Sequence, residues 1–269
     1  MKIDQHLTEE LTRVAHLMAD AARDVILPYF RSDTLDADNK LAGGYDPVTV
    51  ADREAEAAMR AVLMQHRPDD AILGEEMGTQ AGTTGLTWVL DPIDGTRGFV
   101  AGTPTWGVLI AVGGEAGPVI GIVDQPYTGE RFIGTPQGAA LIRADGRRAI
   151  RCRAARPLSQ AIVFTTFPEV GSPAEGAAFR AVAQQAQLTR YGMDCYAYAL
   201  IASGQVDLVI EAGLNAYDVQ GPIALIHAAG GIVTDWEGGP AHNGGRVLAA
   251  ANAGIHAQAL EILRASVAS

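Results

Sequence analysis

Two aspartates three residues apart, Asp91 and Asp94, close the apolar run Trp88-Val89-Leu90, and Gly95-Thr96-Arg97 follows at once. Pro92 removes a backbone donor and fixes its own φ, while Gly95 permits a sharp turn, so a strand breaks here with both carboxylates projecting together. Paired acids repel unless a positive charge lies between them. The Ile93 carbonyl stands between them in sequence as a third hard oxygen. An all-oxygen donor set suits Mg2+ or Mn2+ rather than zinc, which favours the Cys and His ligands this segment lacks. A short helix starting at Gly95-Thr96 would aim its first N–H groups at the same point and receive a phosphate there. The competing account is turn chemistry alone: Asp-Pro and Asp-Gly pairs form turns, and either acid can cap a helix.

Such a cluster needs elements to hold it. Leu11, Val14, Leu17 or Met18, Ala21 or Ala22, and Val25 recur at helical spacing and predict an amphipathic helix over 7–30 whose stripe is core. The polar stretch 31–46, with Gly43-Gly44 and no period, reads as a mobile loop. Thr49 opens a second helix to about His66 with Asp52, Arg53 and Glu54 in its first turns. An acid there also favours the helix dipole, so Asp52 has a structural account of its own. Residues 71–74 read as a short strand delivering Glu75 and Glu76, and 77–85 as a loop. Beyond the two aspartates, apolar runs over 107–113, 118–124, 130–135 and 139–143 alternate with Gly and Pro turns as in a meander. The second half predicts strands over 161–165, 206–211 and 247–251 and helices over 176–188, 195–203, 218–229 and 255–267. Strands and helices in alternation imply helix layers covering sheets.

With 269 residues, 48% of them hydrophobic, the chain can bury a sizeable core. A formal net charge of −11 argues against a general nucleic-acid surface, which rests on clustered Lys and Arg. Cys152 and Cys195 make no disulfide framework and sit in no metal-spacing motif, which fits a reducing compartment. No basic-then-apolar leader opens the sequence and no apolar run reaches the ~18 residues of a membrane span, so a soluble, cytoplasmic protein is expected. Cys195 and His227, each within an apolar helical run, read as buried structural residues rather than nucleophile or base.

Asp91-Pro92-Ile93-Asp94-Gly95-Thr96 resembles the signature of the inositol monophosphatase superfamily of Mg2+-dependent phosphatases. Leu73-Gly74-Glu75-Glu76, Val48-Thr49-Val50-Ala51-Asp52, and Tyr217-Asp218-Val219 followed by Ala228-Ala229-Gly230-Gly231 resemble its other marks, in the same order and across most of the chain. Thr96-Arg97-Gly98-Phe99, Gly102-Thr103-Pro104-Thr105-Trp106-Gly107, Asp124-Gln125-Pro126-Tyr127, Gly129-Glu130-Arg131-Phe132 and Asp194-Cys195-Tyr196-Ala197-Tyr198 are similar to the histidinol-phosphate phosphatase branch. Met193 stands where that branch leads one to expect Gly, and Gly221-Pro222 where Ala-Leu or Ala-Ala is usual.

The resemblance implies an α/β layered αβαβα sandwich with mixed sheets. Residues 1–145 would be the metal-binding subdomain and 146–269 the substrate-selecting one, in one continuous family domain and a homodimer. It implies two or three Mg2+ per site, with Mn2+ as a substitute. One ion would take Glu75, Asp91 and the Ile93 carbonyl, a second Asp91, Asp94 and Asp218, and a third would share Glu75. Asp52 and Thr96 would orient the attacking water, with Gly95 and Thr96 against the phosphate. Asp218 near a helix start has capping as its alternative account, and Lys40, which the resemblance would place near phosphate, reads rather as a solvated loop lysine. The expected reaction is hydrolysis of a small phosphorylated substrate, L-histidinol phosphate, whose ammonium and imidazole would meet Asp194 and Glu211, with Arg190 orienting an acid or reaching phosphate. The rivals are an inositol-1-phosphatase, a broad sugar-phosphate or nucleotide phosphatase, and a regulatory binding protein that kept the fold.

Overall fold

The computed structural model describes residues 4–33, 37–39 and 47–267. The first half runs α1 (Gln5–Ile26), β1 (Ala37–Asn39), β2 (Pro47–Thr49), α2 (Val50–His66), β3 (Ala71–Gly74), β4 (Gly78–Gln80), β5 (Thr87–Asp94) and α3 (Thr96–Val100). A meander follows: β6 (Gly107–Gly114), β7 (Gly117–Gln125), β8 (Glu130–Thr135), β9 (Gly138–Arg143) and β10 (Gly146–Ile150). The rest is β11 (Ile162–Thr165), α4 (Pro173–Ala183), β12 (Leu188–Tyr191), α5 (Asp194–Ala202), β13 (Leu208–Leu214), α6 (Ala216–Ala228), β14 (Ile232–Thr234), β15 (Gly245–Ala250) and α7 (Ala253–Val267).

An eight-stranded sheet, ordered β10-β9-β8-β7-β6-β5-β3-β4, and a five-stranded sheet, ordered β12-β11-β13-β15-β14, carry the layers. Side chains alternate across a strand, so the central strands of the large sheet serve two cores. Trp88, Val108, Ile110 and Ile122 pack with Leu11, Met18 and Met59 of α1 and α2 on its outer face. Leu109, Val123 and Phe132 point the other way into a core built by α5 and α6, which Val209 and Val247 of the small sheet also enter. Val163, Leu208 and Leu248 then face Phe179 of α4 and Leu263 of α7 on the far side. The result is a five-layered αβαβα sandwich with mixed sheets, the architecture expected.

Where the sequence and the fold differ, the elements are short. Residues 37–39 pair with β2 inside the stretch expected to be loop, while Lys40 and most of that stretch lie outside the described residues. β4 occupies part of the expected 77–85 loop. β10, β12 and β14 were not expected; β10 is exposed along most of its length, and such polar edge strands carry no apolar alternation. The helix expected over 176–188 starts earlier, with Ser172 and Glu175 forming a capping box around Pro173, and ends at Ala183. Among the described residues no helix is long and apolar enough to cross a membrane.

Candidate active site

β5 runs between β3 and β6, and its register against β6 shifts between Asp91 and Asp94. In an unbroken strand, positions three apart face opposite sides. The irregularity at Pro92-Ile93 re-aims the chain, as bulges beside active sites do, and both carboxylates reach one point. Gly95 then takes φ 83° and starts α3. A Cβ there would lie 2.9 Å from the Asp194 side chain, so glycine serves both the left-handed turn and the close approach.

The third acid comes from the other half of the chain. α6 packs on β5 through β8. Added Cβ atoms at Gly121 and Gly134 would lie 2.2 Å from the Gly221 carbonyl and 2.4 Å from Leu225 Cα. The absence of side chains there lets the helix approach, and Gly221, an unexpected residue, takes part in that contact. At the start of α6, Asp218 accepts a hydrogen bond from the Asn215 amide at 2.6 Å in a capping box. The capping account is therefore true of Asp218, and so is the clustering: Asp91, Asp94 and Asp218 each offer a carboxylate oxygen within 4.8 Å of the others. Asp91 is buried, and its Oδ1 has no hydrogen-bond partner among the described residues. Burial, then the charges of Glu75, Asp94 and Asp218, push its carboxyl well up, and burial with Asp194 and Asp218 does the same to Asp94. Carboxylate oxygens that converge and repel one another make a donor set that fits a hard divalent metal.

Glu75 lies on the cleft wall just after β3, its amide bonded to the Leu90 carbonyl. Glu56, fully buried on α2, accepts from the Glu76 and Met77 amides at 2.7 and 3.2 Å and pairs with Arg60 at 2.8 Å, so it anchors the turn that presents Glu75. Asp52 is fully buried and is not among the cleft-lining residues. The Thr49 amide and hydroxyl hold its Oδ2 at 2.8 and 2.5 Å, and its Oδ1 has no partner among the described residues. Burial raises it to about 6 against the opposing Thr49 hydrogen bonds. β2, which carries Thr49, packs against α3. On the cleft wall, the Thr96 hydroxyl donates to the Ile93 carbonyl at 3.1 Å.

The cleft encloses about 300 Å³. Asp194 and Glu211 line it beside the triad, but Arg190 does not: it is an exposed residue of β12, an edge strand of the small sheet. Glu211 accepts from the Thr166 amide and hydroxyl at 2.9 Å each, and burial outweighs those bonds to raise it to about 7. Burial raises Asp194 to about 6 against the charge of Arg97. Around the unexpected Met193, the left-handed conformations fall on Gly192 (φ 74°) and Asp194 (φ 44°), while Met193 itself has φ −112°. No glycine is needed at that position.

Sequence reasoning missed other cleft residues. Arg97, stacked 4.8 Å over the Phe167 ring, was legible only as part of a motif. Thr166 and Phe167 follow a short strand with no local signal. Tyr198 stands four residues after Asp194 on α5, a spacing that shares one helix face. The two residues set aside are structural: the Cys195 thiol is buried and pushed well up by that burial, while its amide donates to Asp94 at 2.6 Å. His227 accepts from the Val233 amide at 3.4 Å.

The model of the inositol monophosphatase family matches residues 7–268. The chain belongs to the inositol monophosphatase family. Members are metal-dependent phosphatases, and this protein is a phosphatase. It is 40% identical over 268 residues to the chloroplastic bifunctional phosphatase IMPL2 of Arabidopsis thaliana, covering 95% of this chain and 75% of that one. A histidinol-phosphatase of Streptomyces coelicolor is 32% identical over 93% of this chain and 96% of its own. Among solved structures, an inositol monophosphatase from Zymomonas mobilis superposes with a TM-score of 0.83 at 37% identity, over 95% of this chain and 98% of that one.

Proposed function

We propose that this phosphatase hydrolyses L-histidinol phosphate to L-histidinol and inorganic phosphate with Mg2+. Identity to a histidinol-phosphatase and to an inositol monophosphatase is of similar size, so likeness does not choose between the two esters. The observation that carries the choice is the second pair of acids, Asp194 and Glu211, in the same cleft as the triad. Carboxylates buried beside other carboxylates are costly unless a cation joins them. The ammonium and imidazole of histidinol phosphate supply that charge, whereas inositol 1-phosphate offers only hydroxyls.

In this reading Glu75, Asp91, the Ile93 carbonyl, Asp94 and Asp218 hold two Mg2+, with a third sharing Glu75. When bound, the ions neutralise phosphoryl oxygens, activate water and offset charge on the leaving alkoxide. The protein does the rest. Gly95 and Thr96 at the start of α3 receive the phosphate, and the Thr96 hydroxyl orients the attacking water. Asp52, held by Thr49 on the α3 side and with one oxygen unpartnered among the described residues, supplies the hydrogen-bond acceptor that orients the water, and with a pKa of about 6 it is ionised near neutrality. Residues 1–145 thus supply most of the metal site, and 146–269 supply Asp218 and the groups that select the alcohol. Arg190 has no part in it.

The test is kcat/KM with Mg2+ for L-histidinol phosphate, inositol 1-phosphate and 3′-phosphoadenosine 5′-phosphate, repeated for Glu211→Gln. A strong preference for histidinol phosphate that Glu211→Gln reduces is expected. A flat profile, or preference for inositol 1-phosphate, would keep the phosphatase and overturn the substrate.

A further inference from the structure

Two residues lining the cleft carry a buried polar atom with no hydrogen-bond partner among the described residues: Asp91, through Oδ1, and Tyr198, through its hydroxyl. The first has its use in the acid triad. Tyr198 is 3% exposed, held on α5 with Ala197 and Ile201 packed into the core between the sheets. Of the charges acting on its hydroxyl, Glu211 comes first, then Asp94 and Asp218. Tyr198 thus lines one cleft with the selecting acid and the triad. Burial and those charges also push the phenol well up, so it stays neutral, with one proton to donate and lone pairs to receive. A desolvated hydroxyl left unbonded is unfavourable, and such groups are retained where a ligand or water completes them.

We propose that Tyr198 recognises the substrate amine: its oxygen accepts a hydrogen bond from the ammonium of a vicinal amino-alcohol phosphate. The proposal rests on the histidinol phosphate reading. In such an ester the ammonium is two carbons from the bridging oxygen. A phosphate held at the triad therefore leaves the ammonium inside the cleft that Glu211 and Tyr198 also line. A polyol phosphate offers no cation there, so the same tyrosine separates amino-alcohol esters from sugar-like ones.

The experiment compares wild type with Tyr198→Phe on L-histidinol phosphate and on its des-amino analogue, 3-(imidazol-4-yl)propyl phosphate, resolving kcat from KM. Calorimetry measures L-histidinol binding to the Mg2+-loaded proteins, and melting temperature checks the fold. Loss of a hydrogen bond to a charged group predicts about 10–100-fold lower kcat/KM for histidinol phosphate, chiefly through KM, with L-histidinol binding weakened to match. The des-amino ester should change less than about twofold, since it lacks the group recognised. Equal loss on both esters, or loss on neither, would overturn the assignment. A wild-type enzyme that prefers the amine while Tyr198→Phe keeps that preference removes the tyrosine alone. A wild type indifferent to the amine removes the substrate reading with it.

Discussion

The buried acids of this molecule fall into two groups that differ in what faces them. Asp124, fully buried, is met by Arg131 at 2.7 Å and Arg23 at 3.1 Å. Asp70 is met by Arg67 at 2.7 Å, the Thr84 hydroxyl and the Trp88 indole N–H, and these bonds hold it below the ordinary carboxylate range against its burial. Asp207 is met by Arg153 at 3.0 Å and Arg156 at 3.4 Å. Around the cleft, Asp91, Asp94, Asp194 and Glu211 face one another, and burial raises all four. The first group ties elements together: Arg131 joins β8 to Asp20 of α1 as well as to Asp124. In the second, Arg97 offsets only part of the burial of Asp194 and all four acids stay raised, so added positive charge would stabilise them. Position in the core does not separate the groups; a close arginine pair among the described residues does.

The sharpest way to break the contrast is to remove one acid from each group. Asp94→Asn should lower kcat/KM by about 10²–10³-fold or more while raising the melting temperature of the metal-free protein, because it deletes a repelled charge. Parallel kinetics and thermal melts check both halves. Asp124→Asn should do the opposite, costing about 3–5 kcal/mol of stability by removing the fully buried charge that Arg131 and Arg23 face. Its kcat/KM at a temperature where the protein stays folded should change less than about twofold, as denaturant melts with matched assays would show. A smaller effect belongs to Glu56, which pairs with Arg60 yet serves the site through the Glu75 turn. Glu56→Gln should raise the Mg2+ concentration for half-maximal activity by about tenfold, the size typical of groups that support metal ligands.

The smallest expected effect is on pH. Asp194 at about 6 and Glu211 at about 7 bind protons more tightly in the folded than in the unfolded chain, whose carboxylates titrate near 4. Their contribution to stability is therefore lost as pH rises from about 4 to about 7. Melts of the metal-free protein should show a Tm that rises by a few degrees as pH falls from 7 to 5, and Mg2+ should flatten that slope. Asp70, held low, works in the reverse sense and lends stability above pH 4 that is lost on further acidification.

The cleft acids were largely legible in the sequence, the arginine-paired group hardly at all. Asp91 and Asp94 are adjacent in the chain, with Pro92 and Gly95 announcing the irregularity that joins them, so local chemistry pointed at the site. Asp218 could be joined to them only through its motif, because a helix cap explains it equally well, and the cap is indeed present. The Asp124 pair with Arg23 spans 101 residues and leaves no local trace. The layered fold followed from alternation of apolar runs, but β10 and β12 did not, since edge strands need no apolar face. Arg190 was a candidate for orienting one of the selecting acids or reaching phosphate. The turn at Gly192–Asp194 separates it from Asp194, sending Arg190 to an exposed edge and Asp194 over Gly95.

Calorimetric titration of Mg2+ into metal-free wild type and Asp94→Asn tests most directly whether the clustered cleft acids are kept for cations. The account predicts saturable binding in the wild type and its loss or strong weakening in Asp94→Asn, with the variant folded and at least as heat-stable. Equal Mg2+ binding by the two proteins, or a wild type that binds none, would contradict it.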